Sequence, residues 1–581
     1  MIEQEKFFKT ADNTELFYRY RPAKKGGSNN KAIILFHRGH EHSGRIMFVA
    51  DEIGFDDFAY FAWDARGHGK SPGKRGDSPS FGTAVSDIQS FFQHIEQIYH
   101  IVPENICVIA QSISAALVST WLHDYAPKIR CAILAAPAFK VKLYVPFARI
   151  GLTLWSKLRG NFFVNSYVKA KYLTHNQESQ ESFNRDPLIT RAISVRMLLG
   201  LYKTAERVVL DAQAITTPIQ LFISGDDWVV DNKPQHDFYN HLGSYIKERH
   251  ILDGFLHDTF GEENNYLVFE PMKRFIRERF DEPLQIVDRT CAHIFGTSRL
   301  EADKLSTPLP PYSLEGLFWA SYRALMKLGA RWSEGLRIGQ VMGYDSGSML
   351  DYVYRNQPQG TNAFGRLVDK HYLNAIGWRG IRQRKENIAK AIRLAICKLR
   401  EVDKAIHILD IASGHGRYVL DALTAENWPD SLRLRDYSPV NVMVGLTLIK
   451  ERGLPGTVTF NEINAFESTY YEDLNPRPTL GIVSGLYELF TDNDLIMCSL
   501  NGLGSTIEQG GYLIYTGQPW HPQLELIARC LTSHKEGKPN WVMRRRSQQE
   551  IDQLVEKAGF RKIHQWIDED GIFTVSLAIK K

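Results

Sequence analysis

Short apolar runs rich in β-branched and aromatic residues recur from residue 31 to about residue 255: KAIILF, DFAYFAW, NICVIA, RCAILAA, PIQLFIS and ERHIL. Stretches of helical periodicity separate them. Strands that are apolar at nearly every position suit a sheet buried on both faces, and their alternation with helices predicts a parallel sheet flanked by helices. A second series, IHILDI, LRLRD, GTVTF, TLGIVS, GGYLIYT and IFTVSLAI, begins near residue 406 and predicts a second α/β sheet. Residues 313 to 400 are mostly helical in pattern and lead into it. Residues 284 to 312 include CAHIFGTSRLEADKLSTPLPPYS, whose prolines, small polar residues and weak periodicity predict a linker. The expected organisation is a domain over 1–285, a linker over 286–312 and a domain over 313–581.

Composition changes this picture little. The chain has 581 residues, 44% hydrophobic and 23% charged, which is ordinary globular material for two large cores. A formal net charge of +4 is too dilute over this length to imply nucleic-acid binding, so no nucleic-acid partner is expected. The six cysteines are scattered without a C-x-x-C pair or a Cys/His cluster, so no metal is expected. The amino terminus, MIEQEKFFKTADNTELFYRY, is charged throughout and lacks the apolar core of a signal peptide. A cytoplasmic protein is the resulting expectation.

The stretch CVIAQSISAALVS runs a buried strand into a small-residue helix with Ser112 at the turn. A serine in such a place is often a helix N-cap. A nucleophile elbow needs small flanking residues two positions either side, and here they are Ala110 and Ser114 rather than glycines. After PIQLFIS comes GDDWVVD, with Asp226, Asp227 and Asp231, and after ERHIL comes Leu256-His257-Asp258. Serine, acid and histidine thus follow in the chain order of an α/β-hydrolase, each behind a different strand.

KAIILF runs into the loop HRGHEHSGR, and DFAYFAW into DARGHGKS. With these two segments the region from about residue 10 to 280 resembles the monoacylglycerol lipase and lysophospholipase branch of the α/β-hydrolases. The resemblance implies Ser112 as nucleophile, Asp227 as acid, His257 as general base, and the N–H groups of Gly39 and Ile113 as oxyanion hole. It also implies a cap, near residues 140–205. The family's G-H-S-x-G elbow is A-Q-S-I-S here, which leaves open a non-catalytic lipid-binding module as well as an active esterase.

Within that cap, residues 140 to 171 carry Lys140, Lys142, Arg149, Lys157, Arg159, Lys169 and Lys171 and no acid, interleaved with Leu143, Tyr144, Phe147, Leu154, Trp155, Phe162 and Phe163. Such a composition suits a lid on an anionic membrane surface at the inner membrane face, and equally a cap whose apolar side covers its own active site.

The second sheet opens with IHILDIASGHGRYVLDAL, where Asp410, Ala412, Ser413, Gly414 and Gly416 give D-x-A-x-G-x-G between strand and helix. The loop resembles the first motif of class I S-adenosylmethionine-dependent methyltransferases, which implies cofactor contacts at all five of these residues, although NAD enzymes and plain tight turns form such loops too. LRLRD ends in Asp436, followed by Tyr437, where either cofactor would have a carboxylate for its ribose. The methyltransferase resemblance implies adenine contacts at Asn464 and Ala465 and further cofactor contacts at Ser484 and Gly485. FGRLVDKHYLNAIGWRGIRQRKENI, YTGQPWHPQLELIARC and WVMRRRS extend this resemblance, to a methyltransferase family, over roughly 310 to 581. One of Arg379, Arg382 and Arg384 is a candidate for the methionine carboxylate, against a solvated helix face. Arg544, Arg545 and Arg546 are candidates for an anionic acceptor, against plain surface charge.

The expected fold class is α/β: an α/β-hydrolase domain with a cap, then a Rossmann-like class I methyltransferase domain with a helical lead-in. The implied cofactor is S-adenosyl-L-methionine, and the implied partner a lipid or lipid-like ester.

Overall fold

The computed structural model describes residues 3–24, 30–166, 168–467, 471 and 474–581. The chain divides into two compact units, Met1–Val287 and Asp288–Lys581.

The first unit holds an eight-stranded sheet made of β1 (Gln4–Lys9), β2 (Glu15–Arg21), β3 (Lys31–Phe36), β4 (Phe58–Trp63), β5 (Ile106–Gln111), β6 (Cys131–Ala135), β9 (Ile219–Ser224) and β10 (Lys247–Leu252). Two further short strands, β7 (Phe163–Asn165) and β8 (Ala192–Ser194), pair with each other in the cap. The sheet order is β1-β2-β4-β3-β5-β6-β9-β10. From β4 to β10 neighbours run parallel, while β1 and β2 form an antiparallel hairpin on the edge. Every residue of β4, β5, β6 and β9 is buried, as their unbroken apolar runs require. β1 buries only Phe8 fully, so its pattern is too polar to read as a core strand, and it lies outside the runs picked from the sequence. One face of the sheet packs Ile33, Ile109, Ile133 and Phe222 against Val268, Met272, Phe275 and Ile276 of the helix Tyr266–Asp281.

The second unit holds β11 (His407–Ile411), β12 (Ser431–Asp436), β13 (Val458–Glu462), β14 (Leu480–Val483), β15 (Tyr512–Gly517), β16 (Phe560–Ile567) and β17 (Thr574–Lys580) in the order β13-β12-β11-β14-β15-β17-β16. β17 alone runs antiparallel to both its neighbours. The strand order reverses between β11 and β14, and in doubly wound sheets ligands bind outside the carboxyl ends of the strands at that switch point. The lead-in ends in the helix Ile376–Arg400, whose Ile388, Ile392, Ala395, Ile396 and Leu399 recur on one face and enter the core of this sheet.

Residues 286–312 are not an irregular linker. They carry the helices Ala292–Phe295 and Thr297–Ser306, and the Arg529 side chain donates to the carbonyls of Lys304, Leu305 and Thr307. In the longer helix only Ala302 and Leu305 are buried, an apolar stripe too thin to register as periodicity. Among the described residues no helix is long and apolar enough to cross a membrane.

Candidate active sites

Ser112 sits between β5 and the helix Ile113–Tyr125 with φ 59° and ψ −122°, a strained conformation for a side-chain-bearing residue. The sharp turn is fixed from all sides. The Ser112 N–H donates to the Ala135 carbonyl at 2.9 Å, and the Ala138 N–H donates to the Ser112 carbonyl at 3.0 Å. Ser114, which stands where the family has glycine, turns its hydroxyl onto the His37 carbonyl at the end of β3. A small hydroxyl with a partner therefore replaces a missing side chain, and the elbow forms without either glycine.

The Ser112 Oγ lies 2.7 Å from Nε2 of His257, whose Nδ1 lies 2.7 Å from Oδ2 of Asp227. Asp227 Oδ1 accepts the N–H groups of Val229 and Val230 at 2.7 and 3.0 Å. Burial alone would raise the Asp227 pKa, but His257 and these two donors together hold it below the ordinary carboxylate value. Asp226 and Asp231 stay outside this chain of contacts; Asp231 pairs with Lys140. Ser112 and His257 line a cavity of about 280 Å³ together with Gly39 and Ile113, while Asp227 stands behind His257. A Cβ built on Gly39 would stand 3.5 Å from Ile113 Cγ2, so the two expected oxyanion donors are neighbours beside Ser112. From the cap, Leu143, Leu152, Met197, Leu198 and Leu201 roof the cavity with apolar surface.

The two motif loops brace this site. Asp64 accepts the N–H groups of Ser43 and Lys70, and Gly69, at φ 50°, is needed because a Cβ there would meet Asp64 Oδ2 at 2.1 Å. His37 is buried; its Nε2 accepts the Ala65 N–H, which places the ring proton on Nδ1 facing the Arg38 carbonyl. His42 and Arg45 reach Asp186 in the cap. The sequence reading missed Arg38 and Gln111. Arg38 is buried between Glu41 and Asp258, and Gln111 donates to the His257 carbonyl and to Asp258, so together they hold the loop that carries His257. The only sequence signal was an arginine and a glutamine at places where the resembled family has glycine and histidine.

In the second unit a cavity of about 720 Å³ lies at the switch point. Ala412, Ser413, Gly414, Gly416, Asp436, Tyr437, Asn464, Ala465, Ser484 and Gly485 all line it. These residues come from the carboxyl ends of four adjacent strands, which is why positions spread over seventy residues meet. The backbone fits a close ligand: a Cβ on Gly414 would touch only Gly347 Cα, at 3.6 Å, and the buried Ser484 hydroxyl has no partner among the described residues. Asp436 accepts the Gly414 N–H at 2.8 Å as well as Ser438 N–H and Asn441 Nδ2, so its carboxylate also ties the glycine loop to β12.

Asp410 departs from the expectation. It is fully buried, does not line the cavity, accepts the Tyr418 hydroxyl at 2.5 Å, and leaves its Oδ2 without a partner. Being inside the strand rather than at its tip, it supports the loop from below. Burial pushes its pKa up to about 7. The folded state thus binds this proton more tightly than the unfolded one, so its destabilising effect is absent near pH 4, grows by about 1.4 kcal/mol per pH unit towards pH 7 and levels off above. Asp410→Asn removes that dependence. The melting temperature of the variant minus that of wild type is expected to rise from pH 5 to pH 7.5; an equal difference at both values would show that the carboxyl is already ionised at pH 5.

The arginine candidates separate clearly. Arg379 pairs with Asp570 and Arg382 donates to the Leu373 carbonyl, whereas Arg384 is buried with Glu488 at 3.7 Å. Arg544, Arg545 and Arg546 are neither surface charge nor free for an acceptor. They are buried against Glu550, Glu301 and Asn493.

A family described as "Putative methyltransferase" matches residues 272–580, more than half of the chain. The chain belongs to that family. The methyltransferase match spans the helical lead-in and the whole second sheet, and a second family, described as "Serine aminopeptidase, S33", matches residues 27–264. The chain is 55% identical over 580 residues to Uncharacterized protein YnbC of Escherichia coli (strain K12), covering 100% of this chain and 99% of that protein. Its first half is 23% identical over 249 residues to Phospholipase YtpA of Bacillus subtilis (strain 168), covering 42% of this chain and 93% of that protein. It is 25% identical over 268 residues to Monoglyceride lipase of Mus musculus, covering 45% and 86%. The solved monoacylglycerol lipase of Paleococcus ferrophilus, 21% identical, superposes with a TM-score of 0.40 over 48% of this chain and 100% of that one. The chain therefore joins a lipase-like α/β-hydrolase domain to a methyltransferase-family domain.

Proposed function

We propose that the chain is a bifunctional enzyme: a serine esterase of monoacylglycerol or lysophospholipid type, fused to an S-adenosylmethionine-dependent methyltransferase. The observation that carries the esterase reading is the Ser112–His257–Asp227 relay, with both contacts at 2.7 Å and the serine at φ 59°. His257 Nε2 takes the Ser112 proton as Oγ attacks the acyl carbon, while Asp227 holds the ring orientation through Nδ1–H. The N–H groups of Gly39 and Ile113 receive the oxyanion. His257 then returns the proton to the departing alcohol, and water releases the acid by the same steps. The apolar roof suits an acyl chain. The names of the Bacillus and mouse relatives favour this ester class, and the aminopeptidase description names the rival. Release of fatty acid from monoacylglycerol or lysophospholipid tests it; cleavage of an aminoacyl arylamide with neither lipid cleaved would overturn it.

For the second unit, the glycine loop 412–416, Asp436 and Asn464 are the residues that would hold S-adenosylmethionine. When bound, it supplies an electrophilic methyl group. Asp436 would accept from the ribose hydroxyls, and the loop amides would face the methionyl end.

The cap adds a membrane reading. Phe147, Ile150, Leu154, Trp155 and Leu158, in and beside the helix Ala148–Arg159, are exposed, and Lys157 and Arg159 stand among them. This face fits an anionic bilayer, with each basic group near the surface contributing about 1 kcal/mol. Co-sedimentation with phosphatidylglycerol vesicles is expected to weaken as salt rises and the Debye length shrinks. Equal affinity for neutral and anionic vesicles would refute the electrostatic part.

A further inference from the structure

We propose that the methyl acceptor of the second unit is a long-chain carboxylic acid, the class of product that the ester hydrolysis proposed above releases. This inference rests on the methyltransferase and esterase readings and adds the identity of the acceptor.

A second cavity of the unit, about 660 Å³, shares Asp345, Leu350, Gly485 and Leu489 with the cavity at the switch point, so the two adjoin. Its walls are aromatic and aliphatic, with Trp332, Leu336, Phe364, Trp378 and Ile381 among them. Five buried polar side chains stand out against this lining: Asp345, whose oxygens accept the Ser533 hydroxyl and the His534 N–H, and four others. Arg384 lies under Gly485, where a Cβ would meet its Nη2 at 3.0 Å, and Glu488 follows at 3.7 Å from Arg384. Gln518 and His521 follow β15, the strand next to β14.

All four are buried, and their hydrogen bonding is incomplete. Arg384 Nε, Gln518 Nε2 and Glu488 Oε2 have no hydrogen-bond partner among the described residues. His521 accepts the Gln523 N–H at Nδ1, which leaves the ring proton on Nε2, beside Gly377. These four groups together offer three N–H donors against one open acceptor. The Glu488 charge is matched by Arg384, and its Oε1 already accepts the Thr516 hydroxyl. Such a set fits a negatively charged oxygen head group on an apolar chain.

The mouth carries a second, independent observation. The helix Leu314–Gly329 exposes Leu314, Leu317, Phe318 and Leu325, and Phe364 and Leu367 are exposed on the helix Ala363–Leu373. Leu325 and Phe364 also line the chamber, so an apolar lip leads into an apolar interior. That arrangement fits a molecule drawn from a lipid phase rather than from water.

The chemistry is consistent with this head group. A carboxylate oxygen supplies the electron pair of the new O–CH3 bond, the S–CH3 bond breaks with its pair remaining on sulfur, the sulfonium becomes a thioether, and no proton moves. An ammonium or hydroxyl acceptor would have to pass a proton to a base such as the open Glu488 Oε2, whereas a carboxylate arrives already deprotonated. In sequence, hydrolysis at Ser112 would release the acid from its ester and the second unit would convert the acid to its methyl ester.

The test uses the full chain. Calorimetry first measures S-adenosylhomocysteine, then palmitate in its presence; methyl palmitate from methyl-labelled S-adenosylmethionine is followed by mass spectrometry. Palmitate is expected to bind and to be methylated, octanoate at least tenfold more weakly, and benzoate not at all. Gln518→Leu in the chamber and Leu325→Arg on the exposed lip should each weaken palmitate binding about tenfold while leaving S-adenosylhomocysteine binding unchanged. Binding of S-adenosylhomocysteine without palmitate, or methyl transfer to a long-chain amine or to the hydroxyl of monoacylglycerol instead, would overturn the acceptor assignment and leave the methyltransferase standing. Failure to bind S-adenosylhomocysteine would overturn both.

Discussion

Ser112→Ala is expected to lower ester hydrolysis by roughly 10⁴-fold or more, to the residual rate left by binding and the oxyanion donors. The magnitude follows from the geometry. His257 Nε2, Ser112 Oγ and Asp227 Oδ2 form one relay, so removing the nucleophile also idles the base and the acid behind it. A fluorophosphonate probe should label the wild type and leave Ser112→Ala unlabelled. Asp227→Asn should label slowly, since Asp227 orients the imidazole but does not attack. Position 112 carries a positive φ and alanine tolerates it little better than serine, so the variant is expected to melt within a few degrees of wild type. A folded wild type that takes no label and cleaves no lipid would instead support the lipid-binding module.

The second large effect is expected at Asp436. Loss of this carboxylate removes an acceptor from the cavity wall and at the same time frees the Gly414 N–H that it holds at 2.8 Å. A charge-assisted hydrogen bond is worth roughly 1.5 to 3 kcal/mol, so Asp436→Ala should weaken S-adenosylmethionine about ten- to a hundredfold in calorimetry of the full chain. Asp436→Asn keeps an acceptor and should fall between. NAD is not expected to compete. Tight NAD binding without S-adenosylmethionine binding would reverse the cofactor assignment, and unchanged affinity in Asp436→Ala would remove the residue from the ribose.

Both sheets were legible in the sequence because buried parallel strands such as ICVIAQ and IQLFIS announce themselves by unbroken apolarity. Chain order and position behind strands single out Ser112 and His257 but leave Asp226, Asp227 and Asp231 open, and only the family resemblance implies Asp227. What escaped had weaker local signals. β1 alternates at an edge, and the helix Thr297–Ser306 buries two residues. The arginines 544–546 look like surface charge in one dimension and become buried only because Glu550, Glu301 and Asn493 arrive from elsewhere in the chain. Asp410 was read as facing the cofactor because it ends the motif strand, but side chains alternate in direction along a strand, and spacing alone does not say which way it points. The apolar chamber beside the switch-point cavity joins residues from 322 to 573, and no window of sequence holds enough of it to be noticed.

The Ser114 hydroxyl on the His37 carbonyl also bears on what mutation can do at the elbow. Position 114 is governed by size and not by glycine's backbone freedom, because the positive φ belongs to Ser112 and position 114 lies within the following helix. Glycine or alanine there would forfeit one hydrogen bond, about 1 kcal/mol, while valine or leucine would have to push β3 aside. The neutral paths open to this chain thus run through small residues on either side of an immovable serine. A glycine signature describes one corner of that permitted set, and this chain occupies another.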